Sequence, residues 1–321
     1  MKETIKHFIQ GGLIGIGNII PGVSGATVAL ILGIYKRLIG VIDSLNVTAV
    51  LSLLKSLSSW SKFKEEMSKI QGWFLATVLC GVLVFVYAFS FAISYCLKNF
   101  HDATYSLFFG LILASIVIPF RYITKKTWYG WLAAAIAATF VVCLSFGLSA
   151  EEQAQAHQKK IMIKQGVAQQ KLDVDYTELG YYFMAGAIAI SAMILPGVSG
   201  SFILLLMGSY FDVLLAIKQL DLWIIGFFGC GCLVGLIGFT KVMKYLLEKY
   251  ESTLMFFLSG LILGSLYSIW PFKKALVVDN MTFYGENILP SASWTHLLIC
   301  GGMCCVGVML VVVFERYDVE K

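Results

Sequence analysis

Pro21-Gly22-Val23-Ser24-Gly25 and Pro196-Gly197-Val198-Ser199-Gly200 each sit in the middle of a long stretch without acidic or basic residues. Such a string suits the binding of an anion. Proline stops an incoming helix and has no N–H of its own. Glycine permits a tight turn and a close approach of ligand to backbone. A helix restarting after the serine offers free N–H groups and the positive end of its dipole. Ser24, Ser199, Thr27 and Ser201 add hydroxyls, and Asn18 adds an amide. The candidate anion-binding set is therefore Asn18, Pro21, Gly22, Ser24, Gly25, Thr27, Pro196, Gly197, Ser199, Gly200 and Ser201. A single such motif is equally well explained as a tight hairpin with a serine cap. Two in corresponding places favour a ligand. Arg37 and Arg121 are the candidate cations for an anionic head group, with interfacial snorkelling as the competing role.

Other chemistry is sparse. Eight stretches are free of Asp, Glu, Lys and Arg: 7–35, 71–97, 103–120, 127–150, 179–211, 222–240, 252–272 and 287–314. The four histidines (His7, His101, His157, His296) are scattered along the chain. All eight cysteines lie in apolar segments, where they read as small packing residues. Without a placed acid, base or metal ligand, group-transfer catalysis is hard to build. No enzyme activity, cofactor or metal is expected, and no buried charge suggests a proton relay.

These residues need elements to hold them. The 321 residues are 59% hydrophobic and 13% charged. Counted with Gly and without Tyr, about 64% are apolar, against roughly 45–50% in soluble domains. This excludes a soluble enzyme, a disordered chain and a nucleic-acid binder. A membrane span needs about 20 apolar residues. Six of the eight stretches have that length, and Trp73, Trp128, Trp131, Trp223, Trp270 and Trp294 mark their ends. The other two, 7–35 and 179–211, are too long for one span and carry the Pro-Gly strings.

The chain is also a repeat. Residues 11–35 match 186–210 at 10 of 25 positions, including Gly33 on Gly208 and Tyr35 on Tyr210. Gly110-Leu-Ile-Leu-Ala-Ser115 matches Gly260-Leu-Ile-Leu-Gly-Ser265 at a shorter offset, so the first half holds about 25 extra residues near 44–70. If the Pro-Gly segments are not single spans, the halves are inverted. With the N-terminus inside, 16 of the 24 Lys and Arg then fall on the cytoplasmic side, whereas parallel halves divide them equally. Each arm around Pro21 has about 14 apolar residues, or about 21 Å of helix, which passes the midplane without crossing. The expected fold is an all-α polytopic membrane protein of two inverted repeats, each with one re-entrant hairpin and three spans. The first repeat is 1–148, with hairpin 7–42 and spans 71–97, 103–121 and 127–148. A polar extracytoplasmic connection follows at 149–178. The second repeat is 179–321, with hairpin 179–217 and spans 222–241, 252–272 and 292–314. Both termini are expected in the cytoplasm. Gly231-x-x-x-Gly235 and Gly260-x-x-x-Gly264 are expected to bring helices together.

Asn18-x-x-Pro-Gly-Val-Ser-Gly-Ala-Thr27 and Leu195-Pro-Gly-Val-Ser-Gly-Ser-Phe202, with their Leu32-Gly-Ile-Tyr35 and Met207-Gly-Ser-Tyr210 continuations, resemble the PopT family. The resemblance covers nearly the whole chain. It implies a polyprenyl-phosphate translocase of the bacterial plasma membrane. Such a flippase returns undecaprenyl phosphate from the outer to the inner leaflet for cell-envelope polymer synthesis. The partners implied are the lipid substrate and the bilayer, with no nucleic acid; a coupling ion and a homo-oligomer are left open. Two other functions compete. A channel or small anionic-solute transporter also suits two opposed half-helices. Undecaprenyl-pyrophosphate phosphatases carry Pro-Gly-x-Ser motifs too, but follow them with Arg-Ser and add a glutamate pair. Gly25 and Gly200 stand at that arginine position here.

Overall fold

A computed structural model describes residues 2–20, 23–45, 47–146, 178–278, 281–290 and 293–319. Pro21, Gly22 and nearly all of the 149–178 connection lie outside the described residues. The chain is mostly helical, because its apolar runs have no polar side chains to compete for backbone groups. In the first half the helices are α1 (Lys2–Ile19), α2 (Gly25–Ile31), α3 (Tyr35–Ser44), α4 (Val47–Ser56), α5 (Trp60–Lys69), α6 (Gly72–Asn99), α7 (His101–Ser115), α8 (Val117–Arg121) and α9 (Trp128–Phe146). Pro119 accounts for the short α8, since proline does not continue α7 without a break. In the second half they are α10 (Leu179–Ile194), α11 (Gly200–Leu206), α12 (Tyr210–Gln219), α13 (Leu222–Lys249), α14 (Glu251–Ser268) and α15 (Trp294–Val319). The repeat is visible in this order, and α4 with α5 is the extra piece of the first half. Among the described residues, one element is not helical. Strands β1 (Lys273–Val278) and β2 (Met281–Asn287) form an antiparallel ribbon between α14 and α15.

The returning arms differ from the expected 14-residue helices. α2 and α11 have seven residues each, and each bends sharply into the next helix, by 116° and 105°. Gly33 and Gly208 cause the bends, at φ of +69° and +78°. Around Gly33, Gly33 N–H donates to Leu30 O and Ile34 N–H to Ala29 O; Gly208 and Ser209 make the same pair of bonds to Leu205 and Leu204. This is the Schellman helix stop, which needs a residue comfortable at positive φ.

Among the described residues, five helices are long and apolar enough to cross a membrane. Their outward faces are apolar: Leu83, Tyr87 and Phe91, one turn apart on α6, are 70%, 89% and 88% exposed. Water does not tolerate such a face, and lipid does. The protein is a multi-pass membrane protein. α14 lies innermost, with Leu254, Met255, Phe256, Leu258, Leu261 and Ile262 all buried.

The helices pair through glycine seams. α1 runs alongside α6 in the same direction, His7 meeting Phe74, Gly11 meeting Val78 and Gly15 meeting Val82. α10 runs alongside α13 likewise, with Phe183 at Gly231 and Ala187 at Gly235. Two more pairs join the halves. α7 follows α15, from Asp102 at His296 to Gly110 at Cys304. α9 follows α14, with Ala134 at Gly260 and Ala138 at Gly264. A Cβ at Gly11, Gly81, Gly110, Gly231, Gly260 or Gly307 would fall on the facing backbone carbonyl. The small-residue spacings at Gly231 and Gly260 thus do bring helices into backbone contact.

Candidate functional site

α2 starts where it does because two side chains take its first amides. Gly25 N–H donates to Asn18 Oδ1 at 2.9 Å, and Ala26 N–H to Ser24 Oγ at 3.3 Å. Every residue of α2 except Ala26 is buried, so this broken helix lies inside protein. Gln10 Nε2 supports its far end by donating to Leu32 O at 3.3 Å.

The two Pro-Gly segments, 175 residues apart in sequence, meet in space. Thr27 Oγ1 accepts from Gly197 N–H at 2.9 Å. Ser24 Oγ donates to Leu195 O at 3.3 Å, and Tyr35 Oη donates to Ile194 O at 3.1 Å. Three side chains of the first half therefore satisfy three backbone groups of the break in the second half. Buried backbone groups need partners, and a proline-broken helix leaves several without one. Ser24 and Thr27 were expected as open donors; here their hydroxyls are engaged with the opposite tip.

The second tip is built differently. Gly197 sits at φ +79°, and a Cβ there would come within 2.7 Å of Leu261 O on α14. Pro196 and Gly200 are buried, Ser199 is half-buried and Ser201 is exposed. The Ser199 and Ser201 hydroxyls lie 3.0 Å apart, and Ser199 makes no capping bond to α11. Met193 stands where the first half has Asn18, and Phe202 where it has Thr27. Neither can cap. The second tip thus presents two hydroxyls beside the first turn of a short helix, while the Ser24 and Thr27 hydroxyls of the first tip are already engaged.

The candidate cations lie at the ends of helices next to the tips' own. Arg37, exposed on α3, donates to Gln71 Oε1 at 2.9 Å, lies 3.2 Å from His7 Nε2 and stacks over Phe74 at 4.0 Å. Arg121 is exposed at the end of α8. Two ion pairs tie α3 to the second half at this end, Lys36 with Glu251 and Asp43 with Lys244, the latter at 2.8 Å. Beside α8, an apolar cleft of about 220 Å³ is lined by Phe120, Trp131, Ala134, Gly260 and Leu263 among others.

Tyr35 and Gln10 were not singled out by the sequence. Tyr35 appeared there as a repeat match and in the family motif, but its partner is a backbone carbonyl, which leaves no mark on residue patterns.

Residues 14–285, which include both tips and all three bonds between them, match the undecaprenyl phosphate translocase-like family. The chain belongs to this family. A polyprenyl-phosphate transporter of Vibrio cholerae is 34% identical over 272 residues, covering 85% of this chain and 79% of that protein. A polyprenyl-phosphate transporter of Staphylococcus aureus is 30% identical over 276 residues, covering 83% and 86%. No solved structure matches. Family membership with these apolar helices identifies a membrane transport protein.

Proposed function

We propose that the chain is a translocase for a polyprenyl phosphate, undecaprenyl phosphate in particular, and not an enzyme. It returns the lipid from the outer to the inner leaflet of the plasma membrane for reuse in envelope polymers. The names of its relatives support the substrate class. The observation that carries the reading is the pairing of the two Pro-Gly tips through Thr27, Ser24 and Tyr35.

A phosphate monoester offers what those bonds already use, acceptors for N–H and O–H groups. At a wet opening between the tips it takes Gly197 N–H from Thr27 and Ser24 Oγ–H from Leu195, and accepts from Ser199 and Ser201. Asn18, Gly25 and Gly200 hold the backbone turns, and Pro21, Gly22 and Pro196 make the breaks. The prenyl chain stays in the apolar surroundings, the cleft by Phe120 and Trp131 suiting a few isoprene units. Arg37 and Arg121 meet the head group at the membrane surface.

The direction of the helices supports inverted halves of residues 1–148 and 179–321, with re-entrant hairpins 7–42 and 179–217. A 28-residue helix already spans a bilayer, so α7 after Phe100 and α14 after Tyr250 are read as turning back from α6 and α13. With α9 running along α14 and α7 along α15, three alternating spans in each half set each helix against its counterpart, which supports the inverted reading. The distribution of Lys and Arg supports termini in the cytoplasm. Transport is by alternating access, the α1–α6 and α10–α13 pairs moving about the tips against the helices between them.

Movement of labelled polyprenyl phosphate between leaflets of proteoliposomes tests this. Wild type should move the lipid and Ser199→Ala should move it about tenfold more slowly, the loss of roughly one hydrogen bond to a charged group. Ion conductance without lipid movement, or phosphate release from the pyrophosphate form, overturns it.

A further inference from the structure

The piece that the first half alone carries has an outer surface of its own. α12 reaches α13 through Leu220 and Asp221, whereas α4 and α5 stand between α3 and α6. With 10 residues each, about 15 Å of helix, neither α4 nor α5 crosses a bilayer. Ser52 Oγ ties them together by donating to Glu66 Oε2 at 3.1 Å. An aromatic cluster fixes α5 to the foot of α6. Trp60 stacks on Phe63 at 5.7 Å, and Trp73, in the first turn of α6, meets both rings edge-on at 6.4 Å. The 28 residues of α6 make about 42 Å of helix against about 30 Å of hydrocarbon, so its first turn stands at the level of the lipid head groups. Leu51, Leu57 and Trp60 nevertheless turn outward, at 49%, 64% and 71% exposure. Lys55 stands one turn after Leu51, and Lys64 one turn after Trp60. Both lysines are exposed and have no ion-pair partner among the described residues. The acids of the hairpin are taken already: Lys69 Nζ lies 3.0 Å from Glu65 and 2.7 Å from Glu66. Lys62 is exposed too, but sits about 200° round α5 from Trp60.

We propose that α4 and α5 form an interfacial anchor that binds anionic phospholipid, with the ammonium groups of Lys55 and Lys64 on the lipid phosphates and Leu51, Leu57 and Trp60 at the acyl boundary. Short amphipathic helices with lysine on one flank and Trp or Leu on the other lie in that layer. A lysine one turn from an exposed apolar side chain lays its methylene stem along it and lifts its ammonium to the phosphates. Tryptophan has the amphipathic ring that prefers the same depth. The charge is complementary. Lys55, Lys62, Lys64 and Lys69 outnumber Glu65 and Glu66, and Lys69 holds both carboxylates away from the lipid. Each lysine near an anionic surface strengthens binding about fivefold. The apolar side chains are spread over α4, the turn and α5 with a lysine beside them, a pattern that suits a fluid charged surface better than a protein groove. The anchor also has a mechanical place. It lies between the first hairpin and α6, where Arg37 Nε donates to Gln71 Oε1 at 2.9 Å, so bound lipid steadies the foot of α6.

The full-length protein in nanodiscs provides the test, in phosphatidylcholine alone or mixed equally with phosphatidylglycerol. Amide hydrogen exchange across residues 51–67 should be several-fold slower in the mixed bilayer, and exchange in α9 should be the same in both. Lys55→Gln and Lys64→Gln should each return the segment toward its phosphatidylcholine rate, by up to about fivefold per lysine. Raised salt should do the same. Lys62→Gln, on the far side of α5, should keep the slow exchange. Equal exchange in the two bilayers overturns the proposal, and so does a loss with Lys62→Gln as large as with the other two. Trp60 gives a reading that does not depend on charge. The fluorescence that Trp60→Phe removes should be quenched by lipids brominated near the top of the acyl chain, and an unquenched Trp60 overturns the proposal. Protection of 51–67 that rises with protein concentration in detergent, without anionic lipid, assigns the surface to a second copy of the chain and overturns it as well.

Discussion

Thr27 Oγ1 accepts the Gly197 amide hydrogen at 2.9 Å, joining residues 170 positions apart. Thr27 is completely buried. Its bond is the one place where a side chain of the first tip takes a backbone donor of the second among the described residues. Thr27→Val has nearly the same shape and no acceptor, so it leaves the Gly197 N–H unsatisfied. The cost should be about 1–3 kcal/mol, seen as a lower thermal midpoint in detergent. Thr27→Ser should restore most of it. Equal midpoints for all three would show that the bond does not hold the tips together.

Tyr35→Phe removes the donor to Ile194 O and little else. Its net effect should be about 1 kcal/mol. Local opening should show it better than global stability. Amide hydrogen exchange at Leu195, Gly197 and Val198 should be several-fold faster in the variant, and exchange at Leu258 to Ile262 on α14 unchanged.

The serines of the two tips should separate by readout. Ser24 caps α2 and bonds Leu195 O, so Ser24→Ala should lower both stability and transport, with about 1 kcal/mol in the cap alone. Ser201 is exposed and bonded only to the neighbouring Ser199 hydroxyl. Ser201→Ala should leave the thermal midpoint within its error and slow transport. A variant of Ser201 that transports normally would remove this residue from the phosphate site.

Much of this was legible in the sequence, and for a physical reason. Charge exclusion from lipid is strong enough to mark the helices directly, as at 71–97 within α6 and 252–272 around α14. The Gly231 and Gly260 seams were legible because only glycine allows backbones to touch. The shortness of α2 and α11 was signalled by Gly33 and Gly208, but a glycine in an apolar run reads equally as helix packing; only its φ decides. Ser24 and Thr27 were marked as donors to an anion, and in the structure their hydroxyls bond to backbone. Their partners are backbone atoms of a segment 170 residues away, and no residue pattern records those. The ribbon at 273–287 was missed because Lys273-Lys274 and Asp279-Asn280 read simply as a polar connection.

Backbone contact at the seams makes a sharp mutational contrast. In Gly110→Ala the new methyl meets the Cys304 carbonyl, and nothing on a helix can move aside without shifting the whole pair. The expected loss is about 1–3 kcal/mol or more. Gly301 lies on α15 as well, but nothing is within 4 Å of a Cβ placed there. Gly301→Ala should be neutral or slightly stabilising, because alanine favours helix by up to about 1 kcal/mol. Thermal midpoints of the two variants in one detergent decide the matter; equal losses would place the seam elsewhere.

The same seams divide the molecule mechanically. α7 with α15, and α9 with α14, are each riveted backbone to backbone, and each rivet crosses between the halves. α1 with α6, and α10 with α13, are riveted within a half. Any movement that spares these contacts must therefore treat the four middle helices as a chassis and the two outer pairs as levers mounted on it. Hydrogen bonds at the tips, which water or a ligand can replace, are the joints that remain free to work.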